Sequence, residues 1–332
     1  SLSSLNLSSF TFENLKNSSY MFGRCKSLDN IEFNNNTLKN TFMNNFEDMS
    51  YMFYDCESLK KINLTNFDTT NVKRMNYMFY NCEGLNIIDI SSFYLTNLIT
   101  SSYMFAFCDD VKIIIFKDTL AANLVDMSYM FHHCESLEQI NIKIFNSKKL
   151  KNLSYTFSYC SSLKTIDLST FKSQNIVELE GTFYECKSLV NVVLPDKMSS
   201  IKSTDCMFRN CIKLNSINLG FLEGNSNWWN ANSMFKGCIN LTQLDFPNIS
   251  NSSLNDTAHM FSECSILENV NLEGLKVKNM VSMKKMFHKC SNLSYININN
   301  INTVNTKNVV DIFYGIGKNV TIIYNEKITG YK

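Results

Sequence analysis

Cys56-Glu-Ser-Leu59-Lys-Lys-Ile62-Asn-Leu64-Thr-Asn-Phe67-Asp-Thr-Thr-Asn71-Val72-Lys-Arg-Met75-Asn-Tyr77-Met78-Phe79 is one turn of a pattern that the chain repeats. Phe53, Phe79, Phe105, Phe131, Phe157 and Phe183 stand 26 residues apart, and the series continues through Phe208, Phe235, Phe261, Phe287 and Phe313 with single-residue slips at two junctions. A cysteine follows each of these by three residues, the last excepted, from Cys56 to Cys290. A unit this short cannot enclose a core alone, so it must bury its apolar side against its neighbours, and self-similarity at this period marks a solenoid. Phe22 and Cys25 begin the series 31 residues ahead of the next pair. The extra residues are expected to bulge from the loop near 34–41.

Two periods alternate within the repeat. Ile62-x-Leu64 has the period of two of a short strand with both apolar residues facing inward. Val72, Met75, Phe79 and Cys82 step by three and four, which predicts a short helix with Thr70 or Asn71 as its N-cap. The expected fold is an α/β repeat solenoid of about 12–13 coils, each with one short parallel strand and one short helix. Residues 1–332 are read as a single domain. It begins part-way through a repeat, so upstream sequence is expected, and residues 317–332 close the other end with a capping strand at Val320-Thr-Ile-Ile-Tyr324.

The arrangement Met-Phe-x-x-Cys-x-x-Leu-x-x-Ile-x-Leu-x-x-Phe, then Asn-Val-x-x-Met-x-x-Met-Phe, resembles the BspA-like leucine-rich repeats of bacterial and protist surface proteins. It is similar to the 26-residue variety found in mycoplasmas and other low-GC organisms, and the likeness runs from Leu2 to about Phe313. The resemblance implies a leucine-rich-repeat solenoid and a cell-surface or secreted setting with adhesive roles. It supplies no catalytic residues. Thr156 and Thr182 replace Met, and Ile316 replaces Cys, which should thin the core there.

With 45% hydrophobic and 18% charged residues the chain can fill a sizeable core. A net charge of +1 gives no electrostatic footprint for nucleic acid or an anionic membrane. The basic runs 148–151 and Lys284-Lys285 read as solvated faces. No apolar stretch approaches the roughly 18 residues that cross a bilayer, so membrane insertion is not expected in this segment.

The cysteine column reads as small buried thiols; its adjacent members lie within disulfide range, but their Cβ vectors should run parallel. No CxxC pair suggests zinc. Cys206 stands apart, in a column otherwise held by tyrosine, and is either a tolerated substitution or an exposed reactive thiol. His132, His133, His259 and His288 are expected at the surface. Asp89, Asp167 and Asp245 share a column three coils apart, too far to hold one cation or act as an acid/base pair. The sequons, Asn63 among them, are no more than an Asn-rich chain produces by chance. No phosphate loop or nucleophile elbow is present, so no catalytic, cofactor or metal site is expected.

The expected function is protein binding. Solenoids bind through the face lined by their strands, and here that face is mostly neutral and polar. Ile87, Ile113 and Ile115 interrupt it on adjoining coils, either as an exposed contact patch or pointing inward. With Asp89, Lys117 and Asn141, and with Trp229 as an exposed aromatic, they are the candidate partner-binding residues. The partner is expected to be a protein, with a glycan as the weaker alternative, and an intracellular scaffold is the competing role. The tyrosines two residues before the repeat Phe, Tyr20 to Tyr155, form a further column, read as half-buried packing or an amphipathic strip.

Overall fold

A computed structural model describes residues 2–10, 15–33, 46–65 and 67–324, so the loop near 34–41 lies outside the described residues. The chain forms two compact units. The first comprises Ser1–Asn152, Thr156–Leu163 and Thr170–Lys172, and the second comprises Leu153–Tyr155, Lys164–Ser169 and Ser173–Lys332.

In the first unit the strands are β1 (Ser4–Leu7), β2 (Asn30–Phe33), β3 (Lys61–Ile62), β4 (Ile87–Ile90) and β5 (Ile113–Phe116). They pair in parallel as β1-β2-β3 and β4-β5. In the second unit β6 (Thr165–Asp167) pairs β7 (Asn191–Val193), and β8 (Gln243–Asp245), β10 (Asn269–Asn271), β12 (Tyr295–Asn297) and β13 (Thr321–Ile323) form one parallel sheet. β9 (Ile249–Ser252) pairs β11 (Leu275–Val277). Equivalent residues face one another, as in Ile87↔Ile113 and Gln243↔Asn269↔Tyr295↔Thr321. β13 lies where the sequence predicts the closing strand, and 325–332 fall outside the described residues.

The repeat solenoid is the fold, but the short helix expected in each coil is not found: among the described residues only three short 3-10 segments break an otherwise β architecture. Residues 75–82 show what replaces it. The amides of Met75, Tyr77, Phe79 and Asn81 donate to the carbonyls of Thr100, Ser102, Met104 and Ala106 in the next coil, at 2.8–3.1 Å. The intervening amides of Met78, Tyr80 and Cys82 donate three residues back, to Met75, Tyr77 and Phe79. A helix would direct every amide four residues back within its own chain. Here Tyr77 and Asn81 adopt positive φ, at 56° and 57°, and turn the chain so that alternate amides leave it. Non-glycine residues in that region cost about 1–2 kcal/mol each, and the inter-coil bond each one makes contributes roughly 0.5–1.5 kcal/mol in return. Consecutive three-residue turns also send one apolar side chain inward every three or four residues, which is why the periodicity mimics a helix. No N-cap is needed at Thr70, whose amide is held by Asp68 Oδ1 at 2.9 Å.

The core consists of columns. Phe22, Phe53, Phe79, Phe105, Phe131 and Phe157 stack in the first unit with ring centroids 5.4–5.7 Å apart. Phe183, Phe208, Phe235, Phe261, Phe287 and Phe313 do the same in the second, at 5.4–5.9 Å. The slips around Phe208 leave the ladder intact: Phe183 still donates to Met207, and Phe208 to Met234. At Thr156 and Thr182 the smaller side chain gains a hydrogen bond, to the carbonyls of Met127 at 3.1 Å and Leu153 at 3.2 Å.

Phe105→Ala, which empties a fully buried position of the column, is expected to cost about 3–5 kcal/mol in urea unfolding. Ile99→Ala, at a site 43% exposed, should cost under about 0.5 kcal/mol. Equal losses would remove the column from its role as the core.

Candidate protein-binding surface

The strand face is built by alternation. Ile88 and Ile90 of β4 are fully buried, and Ile114 of β5 is 7% exposed, which turns Ile87, Ile113 and Ile115 outward at 53, 50 and 40% exposure. The parallel register sets Ile87 beside Ile113 and Asp89 beside Ile115. The alternative that these isoleucines point inward is therefore overturned. Lys117 ends the same row, its Nζ 3.3 Å from the ring centroid of Tyr94. Tyr94 and Leu120, exposed at 43 and 54%, enlarge the apolar surface. Sequence reasoning passed over both, although their 26-residue spacing in the outward column of Asp68 was available as a signal.

Asp89 has a structural use: its Oδ1 accepts the Ser91 amide at 2.9 Å and closes the turn that follows β4. Asn63, Asn141, Asp167, Asn218, Asn271 and Asn297 close the equivalent turns in the same way. Side-chain oxygens that substitute for a backbone acceptor explain the Asn/Asp column without any ligand. Asn141 is exposed, but no strand forms at 139–141. Trp229, 43% exposed, belongs to the second unit and lies outside any strand, just before the bridge residue Asn230. Its neighbour Trp228 is fully buried and donates Nε1 to Thr204 Oγ1 at 3.1 Å.

Parallel strands repeated at this period, with stacked Phe and Cys columns, are features that comparison with known families can test. Residues 16–119 and 118–220 match the family described as "Mycoplasma protein of unknown function, DUF285". Residues 180–309 and 231–329 match the BspA type leucine rich repeat region. The chain belongs to the DUF285 family and is a BspA-type leucine-rich-repeat protein. Among solved structures it is similar to a leucine-rich repeat protein from Bacteroides ovatus, at 15% identity over 98% of this chain and 84% of that one, with a TM-score of 0.46. A leucine-rich repeat protein from Eubacterium ventriosum is 15% identical over 100% of this chain and 86% of that one, with a TM-score of 0.43. No curated protein sequence matches.

The first unit of this BspA-type protein also carries an aromatic column. In the first unit Tyr20, Tyr51, Tyr77, Tyr103 and Tyr129 stack at centroid spacings of 4.3–4.7 Å, with their planes within 9°. Their ring faces are spent on one another. Burial, then the neighbouring Tyr20 and Tyr77, push the Tyr51 phenol up to about 12. In the second unit Gly181 takes this position, at a φ of 54°. A Cβ there would lie 2.2 Å from the Tyr155 ring, so only glycine fits beneath it.

The expectation of four surface histidines needs correction in the first unit. His133 stacks between Phe107 and Tyr159, at 4.7 and 4.1 Å, and His132 stands edge-on to Phe107, Tyr129 and Tyr159. Its Nδ1 is 2.6 Å from Ser158 Oγ. Burial, then the adjacent His133, hold the His132 pKa at about 4. Beside this cluster Asp109 is raised to about 6 by burial and by Glu135, Glu83 and Asp110.

The thiols of the repeat are hydrogen-bond donors. Cys56, Cys82, Cys108, Cys134 and Cys160 donate to the carbonyl of the Phe one coil earlier, at 3.0–3.1 Å, as do Cys211, Cys238, Cys264 and Cys290 in the second unit. Burial pushes the Cys108 thiol up to about 12. Cys206 is half-buried, donates to Asp205 Oδ1 at 3.3 Å and is raised to about 11 by burial and then by Asp205, which overturns the reactive-thiol alternative. All the cysteines are free, and among the described residues no group of three or more His, Cys, Asp or Glu side chains could hold a metal ion.

Maleimide at neutral pH is expected to label Cys25 and Cys206 slowly and the other cysteines only after denaturation; fast labelling of the column in the native state would place it in water. A second measurement concerns pH. A folded His132 pKa of about 4 against the ordinary 6.5 means the folded state binds fewer protons in that window. Its contribution is complete above pH 6.5 and is lost as pH falls towards 4. Asp109, raised from 3.8 to about 6, works in the opposite sense. Between pH 7 and 4.5 the Tm of the wild type should therefore fall more than that of His132→Gln; parallel curves would contradict the buried, neutral ring.

Proposed function

We propose that this protein is a non-enzymatic binding module that presents the outward side of its strands to a protein partner at a cell surface. The carrying observation is the apolar patch of Ile87, Ile113 and Ile115 on the adjoining strands β4 and β5, with Tyr94 and Leu120 also exposed in the same unit. Contiguous exposed aliphatic and aromatic side chains on a rigid support have the composition of an interface centre. Rigidity matters because little ordering is needed when a partner docks. Lys117 supplies a rim charge while its stem lies against Tyr94.

The surface setting draws on the family's character. No helix among the described residues is long and apolar enough to cross a membrane, so attachment within this segment would not use a membrane-spanning helix. Protease shaving of intact source cells should release fragments of the chain; complete protection would move the protein indoors, where a scaffold role takes over.

The patch has its own test. A photo-crosslinking residue at Ile87 of the full chain should capture a discrete protein on intact cells. The change Ile113→Asp with Ile115→Asp should weaken that partner about a hundredfold, as expected for losing roughly 3 kcal/mol of apolar burial. Circular dichroism should be unchanged. Undiminished capture by the folded double variant would remove the patch from the interface.

A further inference from the structure

We infer that the second unit carries a binding site for a tetrahedral oxyanion, a phosphate or sulfate group, built by Lys, His and Ser side chains of three successive coils. The positions lie two residues before and one residue after the repeat Phe. In the first unit they hold aromatic pairs such as Tyr51 with Tyr54 and Tyr77 with Tyr80. In the second they hold Ser233 with Lys236, His259 with Ser262, and Lys285 with His288.

The backbone sets these pairs side by side. Within a coil the Ser262 amide donates to the His259 carbonyl at 3.0 Å, and the His288 amide to the Lys285 carbonyl at 3.2 Å. Between coils the His259 amide donates to the Lys284 carbonyl at 2.7 Å, and the Gly237 amide to the Ser262 carbonyl at 2.8 Å. The His288 ring stacks on Tyr314 at 5.2 Å. The lysines are recessed, with the side chains of Lys236 and Lys285 only 22 and 32% exposed.

The buried polar atoms of this array call for an acceptor. Ser262 is 1% exposed and its Oγ has no hydrogen-bond partner among the described residues. Nδ1 of His259 and Nδ1 of His288 are likewise buried and unpartnered. In the first unit the same column resolves this internally, since His132 Nδ1 and Ser158 Oγ lie 2.6 Å apart. Leaving buried polar groups unpaired is unfavourable, and an anion with several lone pairs accepts from a hydroxyl and two ring N–H groups at once.

Charge narrows the ligand. Burial, then Lys236, Lys284, Lys285 and His288, hold the His259 pKa below its ordinary value. Burial, then Lys285 and Lys289, do the same at His288, opposed by Asp311 and Glu263. Lys236 reaches Glu263 at 3.6 Å, and Lys285 reaches Asp311 only at 4.0 Å. Four ammonium groups thus act on the two rings against two carboxylates, and a dianion restores the balance. Phosphate approaches that charge at neutral pH and sulfate has it, and each has oxygens enough for the hydroxyl, the rings and the lysines together. A carboxylate brings half the charge and half the oxygens.

The test is a pH titration of the histidine Cε1–H signals of the full chain in inorganic phosphate, in sulfate and in a sugar phosphate, with chloride at matched ionic strength as reference. At least one oxyanion should bind saturably and move His259 and His288 to higher pH, because a neighbouring anion favours the imidazolium. His132 and His133 should not respond. A stronger response to the sugar phosphate marks an ester as the ligand, and a stronger response to the inorganic salts marks the free ion. Lys236→Gln with Lys285→Gln should weaken binding at least about tenfold at unchanged Tm, the effect of losing two charge-assisted bonds. Ser262→Ala, which removes only the buried hydroxyl, should weaken it about threefold and decides the matter if the double variant does not fold. Ile113→Asp with Ile115→Asp should bind the oxyanion as the wild type does, which separates this site from the isoleucine patch. Responses no larger than that to chloride, or full affinity in the folded variants, would overturn the inference.

Discussion

Within each unit the coils are joined by main-chain amides that alternate between two destinations. Every second N–H in the turn segment reaches the next coil, and those between fold back on their own chain. That alternation requires left-handed residues at fixed places, and the remaining features follow from it. Because the bonds run between coils, equivalent side chains stack at a constant translation. Phe rings then meet Phe rings, and thiols meet the carbonyls above them. A continuous helix would have satisfied its backbone internally and left the coils joined by side chains alone.

The residues that turn the chain are not glycines in most coils. Tyr51, Tyr77, Tyr103 and Tyr129 all have positive φ, and so do Asp55, Asn81, Phe107 and His133 four residues further on. Placing tyrosine in that conformation is unfavourable on local grounds. The stacked rings offset it, since each buries its faces against the coils on either side. Where the stack ends, glycine can take over, as at Gly181 beneath Tyr155.

The period, the columns and the parallel strands were legible because they depend on which residues recur, and recurrence is written directly in the chain. The turn segment was not, because inward residues at steps of three and four arise equally from a helix and from consecutive turns; Val72, Met75, Phe79 and Cys82 fit both. The outward direction of Ile87, Ile113 and Ile115 followed from the strand period once β4 and β5 were in place. The contacts of Lys117 with Tyr94 and of His132 with Ser158 join positions 23 and 26 residues apart, and only the stacking of coils brings them together. Asp89, a candidate for partner binding, also closes a turn by accepting the Ser91 amide, a use that shows only once the chain is folded.

The thiol-to-carbonyl bonds have a consequence for the life of the chain. The column thiols of Cys56 to Cys160 and Cys211 to Cys290 serve as proton donors and none of the cysteines is a covalent link, so no step of the fold depends on a disulfide. A polypeptide exported unfolded would need no oxidase or isomerase to reach its final shape. Once folded, every thiol except those of Cys25 and Cys206 is buried.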